Sequence, residues 1–269
     1  MSAPAHLHVR DLDVFLGATE ILHGVNLTLP AGQITGLAGE SGSGKSMTAL
    51  AILGLLPDRA RLGGHIDLDG QNLLTLPPRQ LAAIRGKTIA MIFQDPAGSF
   101  HPLLSIGTQL TDHVRHHLGL TRAAARSRAA ELLDRVRVPE PAAALGKYPH
   151  QFSGGQLQRI AIASAIACQP RVLLADEPTT ALDVTVQAEI LRLLRELSTE
   201  LGLATLLITH DLAVISSVAT TVTIMQTGRV VEAGDRFQIL TQPQHPYTRS
   251  LIDALPSRWH VRPEEDHGD

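Results

Sequence analysis

The residues Gly39-Glu40-Ser41-Gly42-Ser43-Gly44-Lys45-Ser46 have the form G-x-x-x-x-G-K-[ST]. A triphosphate packs several negative charges into little space. Glycines let backbone N–H groups turn inward around such a group, and a following helix N-terminus adds partial positive charge. In that arrangement Lys45 reaches the outer phosphates and the Ser46 hydroxyl ligates Mg²⁺. A second pattern is the apolar run Val172-Leu173-Leu174-Ala175, which ends in Asp176-Glu177. An acid at a strand end is placed to hold Mg²⁺, and the acid beside it can polarise an attacking water. Alone, that pair reads as a solvated acidic turn; in one chain with the glycine-rich loop it reads as phosphoryl-transfer chemistry. Ser153-Gly154-Gly155-Gln156 opens another helical stretch. It offers an anion-binding terminus, although by itself it is an ordinary capped helix start.

These residues need strands and helices to hold them. His6–Leu12 and Gly24–Leu29 alternate as strands, with a turn at Pro30-Ala31-Gly32. Ile34–Ala38 is a short apolar run feeding the loop, and Met47–Leu56 carries a helical pattern stopped by Pro57. Ile66–Gly70 reads as a strand and turn, and Ile89–Phe93 as a buried strand. Between about 96 and 167 the pattern turns helical, at 104–117, 121–137 and 154–168, with loops at Pro139–Ala144 and Lys147–Phe152. Strand signals resume at Val172–Ala175 and Ala204–Thr209, around a helix at about 184–201. Continuous apolar strands of this kind suit a parallel sheet covered on both faces. Val222–Gln226 and Arg229–Glu232 flank Thr227-Gly228 as a hairpin.

The 269 residues suffice for a large core without disulfide or metal support. Hydrophobic residues make up 44% and charged residues 18%, which excludes a disordered chain. A net charge of −3 and 3% aromatic content argue against a nucleic-acid partner. The single cysteine, Cys168, excludes an intramolecular disulfide and a thiolate-rich metal site, and it fits a reducing compartment. Met1–Arg10 lacks the apolar core of a secretory signal, and no apolar run has the length of a membrane span. The expectation is a soluble chain that serves a membrane, if at all, by docking to a partner.

Taken in order, the phosphate loop, Gln94 after a strand, Ser153–Gln156, Asp176-Glu177, Ala181-Leu182-Asp183 and His210 resemble the ATP-binding subunit of an ABC transporter. The likeness runs over about residues 6–255, leaving 256–269 as a polar C-terminal tail. It implies an α/β P-loop NTPase with an N-terminal antiparallel β-subdomain and an α-helical subdomain, about 96–167, inserted in the core. It further implies ATP and Mg²⁺ as ligands, bound at the interface of two such subunits. By resemblance, Gln94 contacts Mg²⁺ and the attacking water. Ser153–Gln156 contact the γ-phosphate held by the other subunit, Asp183 lies at the dimer interface, and His210 contacts the γ-phosphate. Glu177 would orient the water. An aromatic side chain stacks on adenine in this family, and Phe15 is the one aromatic in the early strands, although Leu16 is nearer the family's register.

Several stretches resemble the peptide and nickel importer group. They are the phosphate loop, Phe93-Gln94-Asp95-Pro96, Pro149-His150-Gln151-Phe152 before Ser153, Ala175–Gln187 and His245-Pro246-Tyr247-Thr248-Arg249. That resemblance implies pairing with a paralogous ATPase subunit as a heterodimer. It also implies two transmembrane permease subunits, an extracytoplasmic substrate-binding protein, and a peripheral place on the cytoplasmic face of the inner membrane. The short form of the chain resembles nickel-type subunits, so peptide and nickel both stand as cargo. His113 and His117, four apart, share a helix face, yet exposed histidines are ordinary and an ATPase subunit of this family does not touch cargo. The runner-up of a different class is an ABC ATPase acting on nucleic acid. Such chains carry tandem cassettes, long coiled-coil insertions or zinc cysteines, none of which is found here. A GTPase would need a guanine-reading Asn-Lys-x-Asp, also not found.

Overall fold

The computed structural model describes residues 5–255; the tail 256–269 lies outside them. β1 (Ala5–Leu16) and β2 (Thr19–Pro30) make a long antiparallel hairpin, and β3 (Ile34–Ala38) leads through the glycine-rich loop into α1 (Lys45–Leu53). β4 (Ala60–Leu68) returns to pair with β1, and β5 (Gln71–Asn72) closes a four-stranded sheet of order β2-β1-β4-β5. After α2 (Pro78–Ile84) comes β6 (Ile89–Ile92), and the next long strand is β7 (Val172–Asp176). Between them lie α3 (Ile106–Leu118), α4 (Arg122–Arg135), α5 (Pro141–Ala144) and α6 (Gly154–Ile166). The chain continues as α7 (Val184–Leu201), β8 (Ala204–Thr209), α8 (Leu212–Val218), β9 (Thr221–Gln226), β10 (Arg229–Asp235), α9 (Arg236–Thr241) and α10 (Pro246–Asp253).

The second sheet has the order β10-β9-β3-β8-β7-β6, with β10 antiparallel to β9 and its other pairs parallel. The central strands β3, β7 and β8 are buried along their whole length, with both faces covered, and alternate side chains serve different cores. Val172, Leu174, Leu206 and Ile208 point into a core shared with α1 and the antiparallel sheet. Leu173, Ala175 and Leu207 point into the core that α6, α7 and α8 cover.

Two readings of the helical stretch need correction. The loop expected over Pro139–Ala144 holds the one-turn α5, where Pro141 takes the first helical position. The loop expected over Lys147–Phe152 holds a 3₁₀ turn at Pro149–Gln151. Proline at a helix start removes an N–H that has no partner there anyway, so it begins these turns rather than ending them. No described helix is long and apolar enough to cross a membrane.

Candidate nucleotide site

The loop between β3 and α1 is held by backbone that a side chain would break. Gly39 has φ +151, and a Cβ there would collide with the Met225 carbonyl oxygen on β9. Lys45 is buried, and its Nζ donates to the Gly39 carbonyl at 2.7 Å, the Glu40 carbonyl at 2.8 Å and Ser43 Oγ at 3.3 Å. Burial pulls the Lys45 ammonium below the ordinary lysine value, while Glu177, Asp176 and Glu40 work against that. The loop is thus closed around its own lysine by neutral acceptors. A phosphate oxygen carries full charge and makes a stronger partner for the ammonium than a carbonyl does. Glu40, Ser41, Gly42 and Ser46 are exposed around it.

Asp176 ends β7 and is buried, and its Oδ1 has no hydrogen-bond partner. Burial pushes its pKa up, and the nearby Ser46 hydroxyl works the other way. A buried carboxylate oxygen without a donor is costly unless a cation or donor completes it. With Ser46, Asp176 supplies the hard oxygen ligands that suit Mg²⁺. The residues present fit that ion.

Glu177 follows in a left-handed conformation, φ +46, with its N–H tied to the Ile208 carbonyl at 2.8 Å. Such a backbone is uncommon for a residue with a side chain and marks a constrained position. Three groups converge on its carboxylate. His210 Nδ1 lies 2.8 Å from Oε1, Thr180 Oγ1 donates to Oε2 at 2.8 Å, and Gln94 Nε2 donates to Oε2 at 3.3 Å. Burial works to raise the Glu177 pKa, but the bonds from His210 and Thr180 outweigh it and hold the carboxyl below the ordinary glutamate value. Glu177 is therefore ionised and an acceptor, able to orient the O–H of a water. Thr180 was not singled out from the sequence; its only signal there was its place three residues beyond Glu177.

Ser153 caps α6: its Oγ accepts from the Gln156 N–H at 3.3 Å, and Gln156 Oε1 accepts from the Ser153 N–H at 3.1 Å. Asp183 caps α7, accepting from the Val186 N–H at 3.0 Å. These two helix starts are packed together. A Cβ on Gly155 would sit 2.7 Å from Val186 Cγ1, so this position must be glycine for the approach. Among the described residues, no hydrogen bond joins Ser153–Gln156 to Gly39–Ser46. Ser153 and Gly154 are exposed instead.

Phe15 is not brought to the loop. Leu22 Cδ2 lies against Gly44, Val14 pairs with Leu22, and Leu16 shares the Val14 face of β1. Phe15 therefore projects from the opposite face, beneath the Arg61 guanidinium at 5.3 Å. On α3, His113 Nε2 lies 3.6 Å from Cys168 Sγ, and among the described residues no group of three metal-binding side chains forms.

Comparison with known proteins places these features in a family. The family model described as ABC transporter matches residues 22–180. The chain is 46% identical over 258 residues to the probable peptide ABC transporter ATP-binding protein y4tR of Sinorhizobium fredii, covering 94% of this chain and 77% of that one. It is 43% identical over 258 residues to the oligopeptide transport ATP-binding protein OppD of Escherichia coli, with the same two shares. Among solved structures, cbiO1 from Clostridium perfringens, part of the ABC transporter complex cbiONQ, resembles it with a TM-score of 0.77 at 27% identity, over 95% of this chain and 98% of that one. The ATP-binding cassette MJ0796, a dimer bound to ADP and Pi in a post-hydrolysis state, does so with a TM-score of 0.74 at 28% identity, over 86% and 98%.

Proposed function

We propose that this chain, which belongs to the ABC transporter family and is an ATPase, powers the uptake of peptides through a membrane importer. The observation that carries the reading is the convergence of Gln94, Thr180 and His210 on Glu177, next to Asp176. The peptide assignment is supported by the relatives, whose names are those of peptide transport subunits.

In this reading the N–H groups of Gly39–Ser46 and the Lys45 ammonium hold the phosphates of ATP. Lys45 exchanges its carbonyl partners for phosphate oxygens. Ser46, Gln94 and Asp176 would hold Mg²⁺, which would neutralise phosphate charge when bound. Glu177 orients the attacking water and takes up its proton; loss of such a group costs about 10²–10⁴ in rate. His210 fixes the Glu177 carboxylate and senses the γ-phosphate. The exposed Ser153–Gln156 terminus and Asp183 face the nucleotide of a partner subunit, so the site is complete only in a dimer. A paralogous subunit is the proposed partner. The base contact falls to the Leu16 face of β1 rather than to Phe15.

The chain then sits on the cytoplasmic face of the membrane, beneath two permease subunits fed by an extracytoplasmic binding protein. A cavity of about 270 Å³ lined by Leu53, Leu55, Phe93, Phe100, His113 and Ala165 is open to them. Leu55 and Phe93 are exposed at it, and Phe93 directly precedes Gln94. A permease segment seated there would lie one peptide bond from Gln94, which contacts Glu177. Disrupting the chain in its own cell should abolish uptake of labelled oligopeptides and leave nickel uptake unchanged. Lost nickel uptake with intact peptide uptake would overturn the cargo assignment.

A further inference from the structure

The stretch His245-Pro246-Tyr247-Thr248-Arg249 takes no part in the chemistry above, yet it has a defined place. Glu232 on β10 accepts the N–H groups of Gln244 at 2.8 Å and His245 at 3.0 Å. His245 Nδ1 accepts the Tyr247 N–H at 3.2 Å and caps α10, and Pro246 takes the first helical position. Arg249 donates back to the carbonyls of Pro243 at 3.0 Å and Gln244 at 3.2 Å. Thr248 is fully buried. The start of α10 is therefore fixed from both sides, and this fixes where Tyr247 points.

Tyr247 is buried, and its hydroxyl oxygen accepts the backbone N–H of Glu40 at 3.0 Å. Burial pushes the Tyr247 pKa up, so the group is a neutral phenol. The Glu40 residue is thus held at both of its backbone polar groups, its N–H by Tyr247 and its carbonyl by Lys45. We propose that Tyr247 is a positioning residue for the nucleotide-binding loop, linking the C-terminal helix α10 to the Gly39–Glu40 segment. The inference rests on the reading that Gly39–Ser46 hold the phosphates. When Lys45 leaves the Gly39 and Glu40 carbonyls for a phosphate, the bond to Tyr247 keeps the Glu40 N–H fixed. The loop then meets nucleotide in one conformation instead of several, and the ordering cost of binding is lowered.

Tyr247→Phe keeps the ring and removes the acceptor. In the full chain, the Kd and KM for MgATP should rise about 2–12-fold, the worth of one neutral hydrogen bond, while kcat stays within about two-fold. Hydrogen exchange at the Glu40 amide, measured without nucleotide, should quicken by a similar factor. A merely structural role would leave both readouts still. Unchanged KM and unchanged exchange overturn the proposal, as does a fall in kcat with KM fixed. Lys45→Ala is measured alongside. If it binds MgATP as well as the wild type, the phosphate-loop reading fails and the Tyr247 proposal with it. If Lys45→Ala loses binding and Tyr247→Phe changes nothing, the Tyr247 proposal alone fails.

Discussion

Asp176→Asn should make the nucleotide-free chain more stable and at the same time remove most of what it gains from MgATP. The Asp176 side chain is buried at the end of β7, its Oδ1 has no partner, and burial raises its pKa. The folded state therefore carries a carboxylate that the Ser46 hydroxyl and the Lys45 ammonium compensate only in part. Leaving a buried polar group unsatisfied costs about 1–3 kcal/mol, more for a charged one. An amide of the same shape removes the charge and still meets the Ser46 hydroxyl, so about 1–2 kcal/mol should return. For a chain of this size that is a rise in Tm of roughly 2–8 °C. Ligand works the other way. At a MgATP concentration of about 100 times Kd, the wild type gains about 2.7 kcal/mol by linkage. The variant, lacking the charged ligand for Mg²⁺, should gain little at the same concentration. The assay is thermal unfolding of both proteins, first with a chelator and no nucleotide, then with MgATP. A lower Tm for the nucleotide-free variant would refute the account of a partly compensated carboxylate. An equal gain from MgATP in both proteins would refute the assignment of Asp176 to the metal.

Three further outcomes are expected. Glu177→Gln keeps the shape on which His210, Thr180 and Gln94 converge, so MgATP affinity should hold while single-turnover hydrolysis slows about 10²–10⁴-fold; the variant should also trap a closed dimer with its partner, visible by size. Ser153→Arg should suppress hydrolysis at the partner's loop and leave this chain's own ATP affinity intact, which nucleotide titration of the isolated chain checks. Glu232→Gln concerns pH: burial works to raise the Glu232 pKa, but the N–H donors of Gln244 and His245 outweigh it and set it below the ordinary glutamate value. A depressed carboxyl stabilises the fold above its unfolded pKa and loses that effect as pH falls through the folded value. Wild type should therefore melt above Glu232→Gln near neutral pH, and the two melting curves should converge in acid below the ordinary glutamate range.

The residues of the phosphate loop and the Asp176-Glu177 pair were legible because their chemistry is encoded in contiguous spacing. The strands beside them were legible because burial on both faces leaves an unbroken apolar run, as in β7 and β8. The short elements α2, α8, α9 and α10 were not read, and they hold six to eight residues each. That is too short for a helical period to stand out, and in α2 and α10 a proline takes the first helical position; in α10 that proline was read only as part of the His245–Arg249 motif. Phe15 was singled out by type alone. The pairing of Val14 with Leu22 decides which face of β1 meets the loop, and pairing partners are not visible in one strand. Tyr247 and Glu40 are 207 residues apart, so no local pattern could connect them. Ser153–Gln156 could be read as a helix cap, and they are one; their proposed phosphate partner lies on another chain, beyond the reach of any single fold.

The most direct test of the account is equilibrium binding of MgATP to the wild-type chain and to Lys45→Ala. The account predicts saturable binding by the wild type. In the variant it predicts a loss of about 10–150-fold or more, because a charge-assisted bond to phosphate is worth about 1.5–3 kcal/mol. Equal affinity in the two proteins would contradict it.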